Sequence, residues 1–314
     1  MKTEKFGTTE LTISEIGMGT WELGGREWGD VDEKDAVDLL LYAYENGVTF
    51  YDTADQYGGG RSERLLGEAF SDLKDKVVIA TKLGYELDSD GWMSQGDKVP
   101  SYNASPDYIR NAIEGSLIRL KREIIDVYQF HAPPPADIWD EAFATMENLK
   151  TEGKIRYYGL CLGNEQQALK AMSETGISSL MLTYNLLNQE MAKTVLPTAV
   201  EKGIAVVARQ PLSSGLLSGM ITTDTKFADN DYRKNWTQEK LLADLDRVEE
   251  IKSVLGNNSV WSLPQAALKF ILAHPAICCV IPGMMTQSQI DSGVTTSSLP
   301  HLTENIIKKL QDNY

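Results

Sequence analysis

The segment Val48-Thr49-Phe50-Tyr51-Asp52 is a short run of β-branched and aromatic residues that ends in a carboxylate. Patterns of helical period lie on both sides of it, at Asp32–Asn46 and at Ser62–Phe70. The run is apolar on both faces, which is typical of a strand buried in a parallel sheet beneath covering helices. The segment therefore predicts one helix, strand and helix of a parallel α/β fold.

The same alternation continues to the C-terminus. Strands are predicted near Ile13–Met18, Val48–Tyr51, Val77–Ala80, Ile125–Gln129, Ile155–Leu160, Leu180–Leu182, Ile204–Val207 and Ile277–Ile281. Further helices are predicted at Pro106–Lys121, Ile138–Thr151, Glu165–Glu174, Met191–Lys202, Gln238–Leu255, Leu263–Ala273 and Glu304–Asp312. No linker rich in Pro or Ser interrupts the pattern, which favours a single domain over residues 1–314.

Eight such repeats close most compactly as a (β/α)8 barrel, the TIM barrel. A hairpin around Thr8-Thr9-Glu10 is expected to precede the barrel, and extra C-terminal helices are expected to follow it. The structural alternative is an open, doubly wound sheet with a dinucleotide fingerprint that begins at Gly17-Met18-Gly19. Glu22 stands where the third glycine of that fingerprint belongs, so the barrel is favoured.

Composition restricts the partners and the compartment. The 314 residues include 30 Lys and Arg against 45 Asp and Glu, a net charge of −15, so no nucleic-acid partner is expected. The chain lacks the roughly 18 to 20 consecutive apolar residues of a membrane helix and the apolar core of a signal peptide. A cytoplasmic protein without a membrane partner is expected. The three cysteines, two of them adjacent, indicate neither a disulfide framework nor a metal site.

Polar residues follow three predicted strands at the end where barrel enzymes carry their chemistry. Asp52 ends the second strand, Lys82 the third and His131 the fourth, and Tyr57 follows Asp52 in a loop rich in glycine. An adjacent ammonium is expected to lower the pKa of a tyrosine, and a carboxylate is expected to keep that ammonium charged. The four residues therefore predict a tyrosine that donates a proton near neutral pH.

These four residues resemble the catalytic tetrad of the aldo-keto reductase superfamily. The resemblance covers nearly the whole chain, through motifs in the family's order at residues 17–21, 52–58, 62–67, 128–131, 153–159, 184–187, 211–219 and 280–283. It implies hydride transfer from NADPH or NADH to an aldehyde or ketone, without metal or flavin. Tyr57 would be the general acid, Lys82 and Asp52 would tune it, and His131 would orient the carbonyl oxygen.

The resemblance also implies binding residues. For the cofactor they are Gly19, Thr20, Trp21, Asp52, Cys161, Arg209, Pro211, Leu212, Gly215, Leu217, Gly283, Thr286 and Gln289. For the small carbonyl substrate they are Trp21, Tyr57, Trp92 and His131. The long segments Gly84–Ala104 and Ser218–Thr237 are expected to form a lid or part of the pocket. Trp28, Tyr85 and Trp236 are expected to add aromatic surface in loops over the rim of the barrel, which favours an apolar or ring-bearing substrate.

Several positions depart from the family pattern around the nicotinamide. Cys161 and Leu162 stand where a Ser-Asn pair commonly holds the carboxamide, and Met181 stands where a Gln does. Backbone groups or Asn164 would then hold the carboxamide, or the ring would be bound loosely. Arg209 stands where an aromatic ring commonly stacks, and a guanidinium can stack in its place. Its charge would repel the oxidised ring, so Arg209 is expected to favour the reduced cofactor.

The cofactor preference depends on the segment after the eighth strand. Met285 stands where relatives that prefer NADP carry a basic residue for the 2′-phosphate. Without that cation, reduced discrimination or a preference for NAD is expected. Thr286, Gln287 and Gln289 are candidates for contacts with the adenosine.

Two other functions remain open. One is a noncatalytic redox sensor or regulatory subunit that binds a dinucleotide, which the eroded carboxamide contacts favour and the complete tetrad disfavours. The other is a redox-neutral enzyme that retains its cofactor while it acts on a sugar-like substrate. The sequence sets neither the physiological substrate, nor the product stereochemistry, nor the oligomeric state.

Overall fold

The structure, a computed structural model, describes residues 1–25, 28, 31–87, 101–161, 163–229, 231–256 and 260–312. A hairpin of β1 (Thr3–Lys5) and β2 (Thr12–Ser14) precedes a sheet of eight parallel strands. In chain order these strands are β3 (Met18–Gly19), β4 (Phe50–Asp52), β5 (Val78–Leu83), β6 (Ile125–Phe130), β7 (Ile155–Cys161), β8 (Ser179–Thr183), β9 (Ala205–Arg209) and β10 (Ile277–Ile281).

The sheet closes on itself. Neighbours in the sheet are neighbours in the sequence from β3 to β10. At the seam, the backbone N–H of Gly17 donates to the Val280 carbonyl at 2.8 Å, and that of Gly19 donates to the Pro282 carbonyl at 3.1 Å. The predicted (β/α)8 barrel and its N-terminal hairpin are therefore confirmed.

Helices surround the barrel. They are α1 (Glu33–Glu45), α2 (Arg61–Ala69), α3 (Pro106–Arg119), α4 (Trp139–Thr151), α5 (Glu165–Glu174), α6 (Val195–Lys202), α7 (Gln238–Leu255), α8 (Leu263–Leu272), α9 (Gln287–Ser298) and α10 (Glu304–Asp312). As predicted, Ser105 and Pro106 begin α3, Ser262 begins α8, and Gly47 follows α1 with a φ of 91°. Within the described ranges, every helix is too short or too polar to cross a membrane.

Two predicted elements differ from the structure, and one helix of the structure was not predicted. The predicted first strand is wrong at its start, because Ile13 and Ser14 pair with β1 in the hairpin. The predicted helix Met191–Lys202 is divided into a 3-10 turn at Glu190–Ala192 and α6. Pro197 has no N–H, and its ring would clash with the carbonyl four residues earlier if the helix were continuous. Helix α9 was not predicted, because its Ser- and Thr-rich sequence has a low helix propensity.

The core has two layers. Inside the barrel, side chains of alternate strand positions meet the hairpin, which closes the N-terminal end of the barrel with Phe6, Leu11 and Ile13. The rings of Phe6 and Phe50 lie 5.9 Å apart across this closure. The outer layer packs the other face of each strand against the helices. The hairpin thus fills one end of the barrel, and the opposite end is free to form a site.

Candidate active site

The alternation of side chains along each strand decides which residues enter the mouth of the barrel. Phe50 and Ala80 belong to the layer inside the barrel. Asp52 and Lys82 follow them by two positions, so they continue the inward phase at the carboxyl ends of β4 and β5. His131 comes directly after β6 in the same phase. The two-residue period of side chains along each strand therefore brings these three predicted residues together.

The Lys82 ammonium lies at the centre of the site. Its Nζ is 2.8 Å from both carboxylate oxygens of Asp52 and donates to the Thr53 carbonyl at 2.7 Å. It also donates to the hydroxyl oxygen of Tyr57 at 3.1 Å. An ammonium has three N–H donors, and these three partners use all of them. Because the Tyr57 oxygen accepts this hydrogen bond, its own O–H remains available to a ligand.

The loop that carries Tyr57 is held by close backbone packing. The Tyr57 N–H donates to the Ala54 carbonyl at 3.2 Å, and the Tyr57 carbonyl accepts from the Ser62 N–H at 3.2 Å. Gly58 has a φ of 59°, and a Cβ there would lie 2.1 Å from the Gly24 carbonyl oxygen. Only glycine fits this position, so the loop packs tightly enough to fix the phenol.

Burial dominates the electrostatics of the site. It raises the pKa of Tyr57 to about 12, although the adjacent Lys82 ammonium acts in the opposite direction. The predicted lowering of this pKa is therefore wrong, because exclusion of water disfavours the phenolate more than one ammonium favours it. Burial alone would lower the pKa of Lys82, but the Asp52 carboxylate raises it above its ordinary value. The pair therefore presents a charged ammonium beside a protonated phenol.

His131 is neutral in this environment. Burial lowers the pKa of its imidazole well below 6.5, and the charges of Lys82 and Arg209 lower it further. Its ring centroid lies 5.8 Å from that of Tyr57 and 5.2 Å from that of Tyr85. A neutral imidazole has one N–H donor. His131 can therefore donate a hydrogen bond beside Tyr57.

A cavity of about 770 Å³ opens above these residues. This volume lies within the range of roughly 300 to 1,000 Å³ that is typical of small-molecule sites. The predicted site residues that line the cavity are Gly19, Trp21, Asp52, Tyr57, Lys82, His131, Cys161, Arg209, Pro211, Leu212, Gly215, Gly283 and Gln289. The predicted substrate residue Trp92 and the departure at Leu162 lie outside the described residues.

Three predicted cofactor residues are not part of the cavity wall: Thr20, Leu217 and Thr286. The Thr20 hydroxyl donates to the backbone carbonyl of Asp52 at 2.8 Å, and the Leu217 side chain is fully buried. The Thr286 hydroxyl accepts from the Gln289 N–H at 3.2 Å and caps α9. These side chains support the wall, because local hydrogen bonds and packing already engage them.

The geometry agrees with the comparison to known proteins. Residues 15–313 match the family model described as the Aldo/keto reductase family. The chain belongs to the aldo-keto reductase family. Its members are oxidoreductases that act on small carbonyl compounds with NAD(P)H. The resemblance noted in the sequence is thus confirmed.

Individual relatives align over nearly the full length. The chain is 31% identical to the NADH-specific methylglyoxal reductase of Escherichia coli (strain K12), over 95% of this chain and 94% of that protein. The holo form of the aldo-keto reductase AKR11C1 from Bacillus halodurans superposes with a TM-score of 0.82 at 28% identity, covering 100% and 96% of the two chains. The glycerol dehydrogenase AKR11B4 from Gluconobacter oxydans gives a TM-score of 0.83 at 28% identity, covering 99% and 94%.

The positions that depart from the aldo-keto reductase pattern lie in the cavity wall. Cys161, Met181 and Arg209 all line the cavity. The Nε of Arg209 is buried and has no hydrogen-bond partner among the described residues. Asn164 is engaged elsewhere, because its Oδ1 accepts from the Gln167 N–H at 3.0 Å and caps α5. Its side chain therefore stabilises the start of a helix in this arrangement.

Among the residues that this aldo-keto reductase places at the cavity and that sequence reasoning missed are Glu22, Tyr232 and Arg233. The Tyr232 ring stacks on Trp21 with a centroid distance of 5.4 Å and an interplanar angle of 29°. The Arg233 guanidinium lies 4.7 Å above the ring of Trp28. These contacts join the loop after β3 to the long segment after β9. The sequence marks that segment only by its length, and it carries no signal for this pairing.

Proposed function

We propose that the protein reduces an aldehyde or a ketone and that Tyr57 donates the proton to the carbonyl oxygen. The observation that carries this proposal is the Lys82 ammonium, which is held by Asp52 and donates to the Tyr57 oxygen at 3.1 Å. A phenol that accepts from an ammonium keeps its own proton for a ligand. The same ammonium stabilises the phenolate that remains after transfer.

The roles of the side chains follow from their charge states. NAD(P)H, when bound, supplies the hydride. A carbonyl oxygen in the cavity accepts hydrogen bonds from Tyr57 and His131. As the carbonyl carbon gains a hydride, its oxygen becomes an alkoxide, which is a far stronger base than a phenolate. Tyr57 therefore gives up its proton even though burial raises its pKa to about 12.

Close backbone packing fixes two parts of the cavity wall. A Cβ on Gly19 would lie 3.2 Å from the Ile281 carbonyl, and one on Gly283 would lie 1.9 Å from the Glu22 carboxylate. Glycine at these two positions therefore lets the first strand, the last strand and the turn that carries Glu22 pack closely together in the cavity wall. Ser213, Ser214 and Gly215 have φ angles of 47°, 56° and 95°. The N–H groups of Ser213 and Gly215 donate to the carbonyls of Gln210 and Leu212 at 2.9 and 3.0 Å, so this turn is a firmly bonded part of the cavity wall.

Arg209 would set the preference between redox states. Its guanidinium lines the cavity, and its buried Nε lacks an acceptor among the described residues. A guanidinium stacked on the nicotinamide repels the positive charge of the oxidised ring. NADH should therefore bind more tightly than NAD⁺, and Arg209→Met should bring the two dissociation constants together. Equal dissociation constants in the wild type would remove this role.

We expect NADH to be used at least as well as NADPH. Met285 lines the cavity, and its N–H donates to the Gln289 side chain at 2.6 Å. Neither group supplies the cation that a 2′-phosphate requires. The name of the Escherichia coli relative, an NADH-specific reductase, points in the same direction. Comparison of kcat/KM for the two cofactors tests this, and a strong preference for NADPH contradicts it.

The decisive experiment is oxidation of NADH or NADPH, followed by absorbance, against a panel of aldehydes and ketones. Wild type should turn over, and Tyr57→Phe should lose turnover while its dissociation constant for the cofactor changes little. Tyr42→Phe is a matched control, because that hydroxyl bonds to Asp291 on the outer surface.

The rival functions predict different results. Cofactor binding without turnover on any carbonyl compound supports a redox sensor. Conversion of a sugar-like substrate with no net change in the cofactor supports a redox-neutral enzyme. Unimpaired turnover in Tyr57→Phe contradicts the proposed proton donor.

A further inference from the structure

Glu22 places a carboxylate in the cavity wall beside the seam of the barrel. It begins a 3-10 turn, Glu22–Gly24, directly after Trp21. Its two carboxylate oxygens lie 1.9 and 2.6 Å from the point that a Cβ on Gly283 would occupy. The carboxylate therefore lies flat against the backbone of Gly283, and glycine at that position is what makes room for it.

The surroundings of this carboxylate leave it without a cation of its own. Among the described residues, no Lys or Arg forms an ion pair with Glu22. Arg233 faces it, but that guanidinium lies 2.6 Å from Asp231 and donates to the Ser214 carbonyl at 3.2 Å. Asp52 and Tyr232 are the other titratable groups that act on it, from β4 and from the segment after β9. The adjoining Pro282 and Gly283 carry no charge.

Burial, opposed in part by its own backbone N–H and Arg233, raises the pKa of Glu22 to about 7. The nearby charge of Asp52 acts in the same direction as burial. A carboxylate has only acceptor sites, so it is satisfied by hydrogen-bond donors and repelled by phosphate oxygens. The ligand group that fits beside it is therefore one that offers hydroxyl donors.

The position of Glu22 identifies which part of a ligand it would meet. The ring of Trp21, the preceding residue, stacks on that of Tyr57 with centroids 6.1 Å apart. Gly24, two residues later, packs on the backbone of Tyr57 and Gly58. Glu22 is thus adjacent to the reacting centre. The first group attached to a nicotinamide ring is a ribose with two neighbouring hydroxyls.

We propose that Glu22 accepts hydrogen bonds from the two hydroxyls of the ribose attached to the nicotinamide. This proposal rests on the proposed use of NAD(P)H. The ionised carboxylate is the form that binds, so the complex releases the proton that Glu22 holds at low pH. Affinity for the dinucleotide then rises with pH, whereas a carboxylate that faced the diphosphate would produce the opposite trend.

Dissociation constants of NADH and ADP, measured by calorimetry between about pH 6 and pH 8, test the proposal. ADP contains only the adenosine half and the phosphates, so it does not reach Glu22 and serves as the matched ligand. In wild type, the affinity for NADH, whose diphosphate does not titrate in this range, should rise with pH, and ADP is compared between wild type and variant at the same pH. Glu22→Gln should bind NADH roughly tenfold more weakly near pH 8 and lose the pH trend, with ADP unchanged.

Each other result overturns the proposal. The proposal is contradicted if Glu22→Gln binds NADH as tightly as wild type, or more tightly, near pH 8. Either result means that the carboxylate does not accept hydrogen bonds from the ribose. If the variant fails to fold, the wild-type affinity for NADH still decides, because an affinity that is constant or falls with pH contradicts the assignment. Failure of wild type to bind either NADH or NADPH contradicts the proposed function itself.

Discussion

Two buried ion pairs lie at opposite ends of the barrel strands and differ in what surrounds them. At the start of β6, the Asp126 carboxylate accepts from Arg122 at 2.6 Å and from the Ile79 N–H at 3.0 Å. Arg122 also donates to two backbone carbonyls of the loop before β5. At the opposite end, Lys82 and Asp52 are equally buried, but their partner group is the phenol in the cavity wall.

The difference teaches what turns an ion pair into a candidate for catalysis. Around Arg122, the partners are other parts of the framework, and none of them is a transferable proton that faces a ligand. Around Lys82, one donor goes to Tyr57, whose O–H stays free beside a cavity. Burial makes both pairs costly to break. Only the pair at the mouth is expected to affect the chemistry when it is broken.

The largest effect is expected for Lys82→Met. Loss of the ammonium removes the group that stabilises the Tyr57 phenolate, so kcat/KM should fall by roughly 10² to 10⁴. The dissociation constant for NADH should change much less. Lys269→Met is the matched control, because this buried lysine donates to the Ser297 carbonyl, outside the cavity wall. A loss of kcat/KM of less than about tenfold in Lys82→Met would contradict the difference described between the two ion pairs.

The second effect concerns stability and should spare activity. Arg122→Met leaves Asp126 buried without its closest cation, so the free energy of unfolding should fall by about 3 to 5 kcal/mol. Denaturant titration measures this loss, and kcat/KM per folded molecule should remain within about twofold. Arg122→Lys, which keeps the charge, should recover part of the stability. A drop in kcat/KM comparable to that of Lys82→Met would mean that the two pairs do not differ as described.

The smallest effect concerns the unpaired carboxylate of Glu22. Its pKa rises from an ordinary 4.5 to about 7 in the folded protein, so the folded state binds this proton more tightly than the unfolded chain. Its contribution to stability is complete below about pH 4.5 and is lost as the pH rises to about 7. Between pH 5 and pH 8, the free energy of unfolding of Glu22→Gln relative to wild type should therefore rise by about 2 kcal/mol. Thermal unfolding at both pH values measures this, and a difference independent of pH contradicts it.

The fold was predictable because most of its signals are local. Seven of the barrel strands coincide with runs of apolar residues in the sequence. The two-residue period of side chains along a strand is enough to direct Asp52 and Lys82 inward. The strand and helix boundaries that were predicted wrongly depend on contacts with residues distant in the sequence. Ile13 fits a barrel strand by composition, yet its partner in the structure is Glu4 in the hairpin. Helix α9 is stabilised by the Thr286 cap and by packing of Gly293 near Met284, neither of which its own propensity reveals.

The candidate site divides in the same way. Residues at the ends of strands could be assigned to the mouth from the sequence, because the topology of a parallel barrel brings all carboxyl ends to one rim. The pKa of Tyr57 could not be predicted from the sequence, because it depends on how much water the folded protein excludes around the phenol. Tyr232 and Glu22 could not be assigned to the cavity from the sequence either, since they reach it from segments far apart in the sequence.

By itself, the sequence determined the succession of strands and helices, the inward phase of Asp52, Lys82 and His131 and the resemblance to aldo-keto reductases. Those properties arise from short-range periodicity and from residue types at strand ends. Only the tertiary structure decided the closure of the barrel at Gly17 and Gly19, the charge states in the cavity and the unpaired position of Glu22. These properties depend on desolvation and on contacts between distant segments, because folding sets both the local dielectric and the neighbours of each charge.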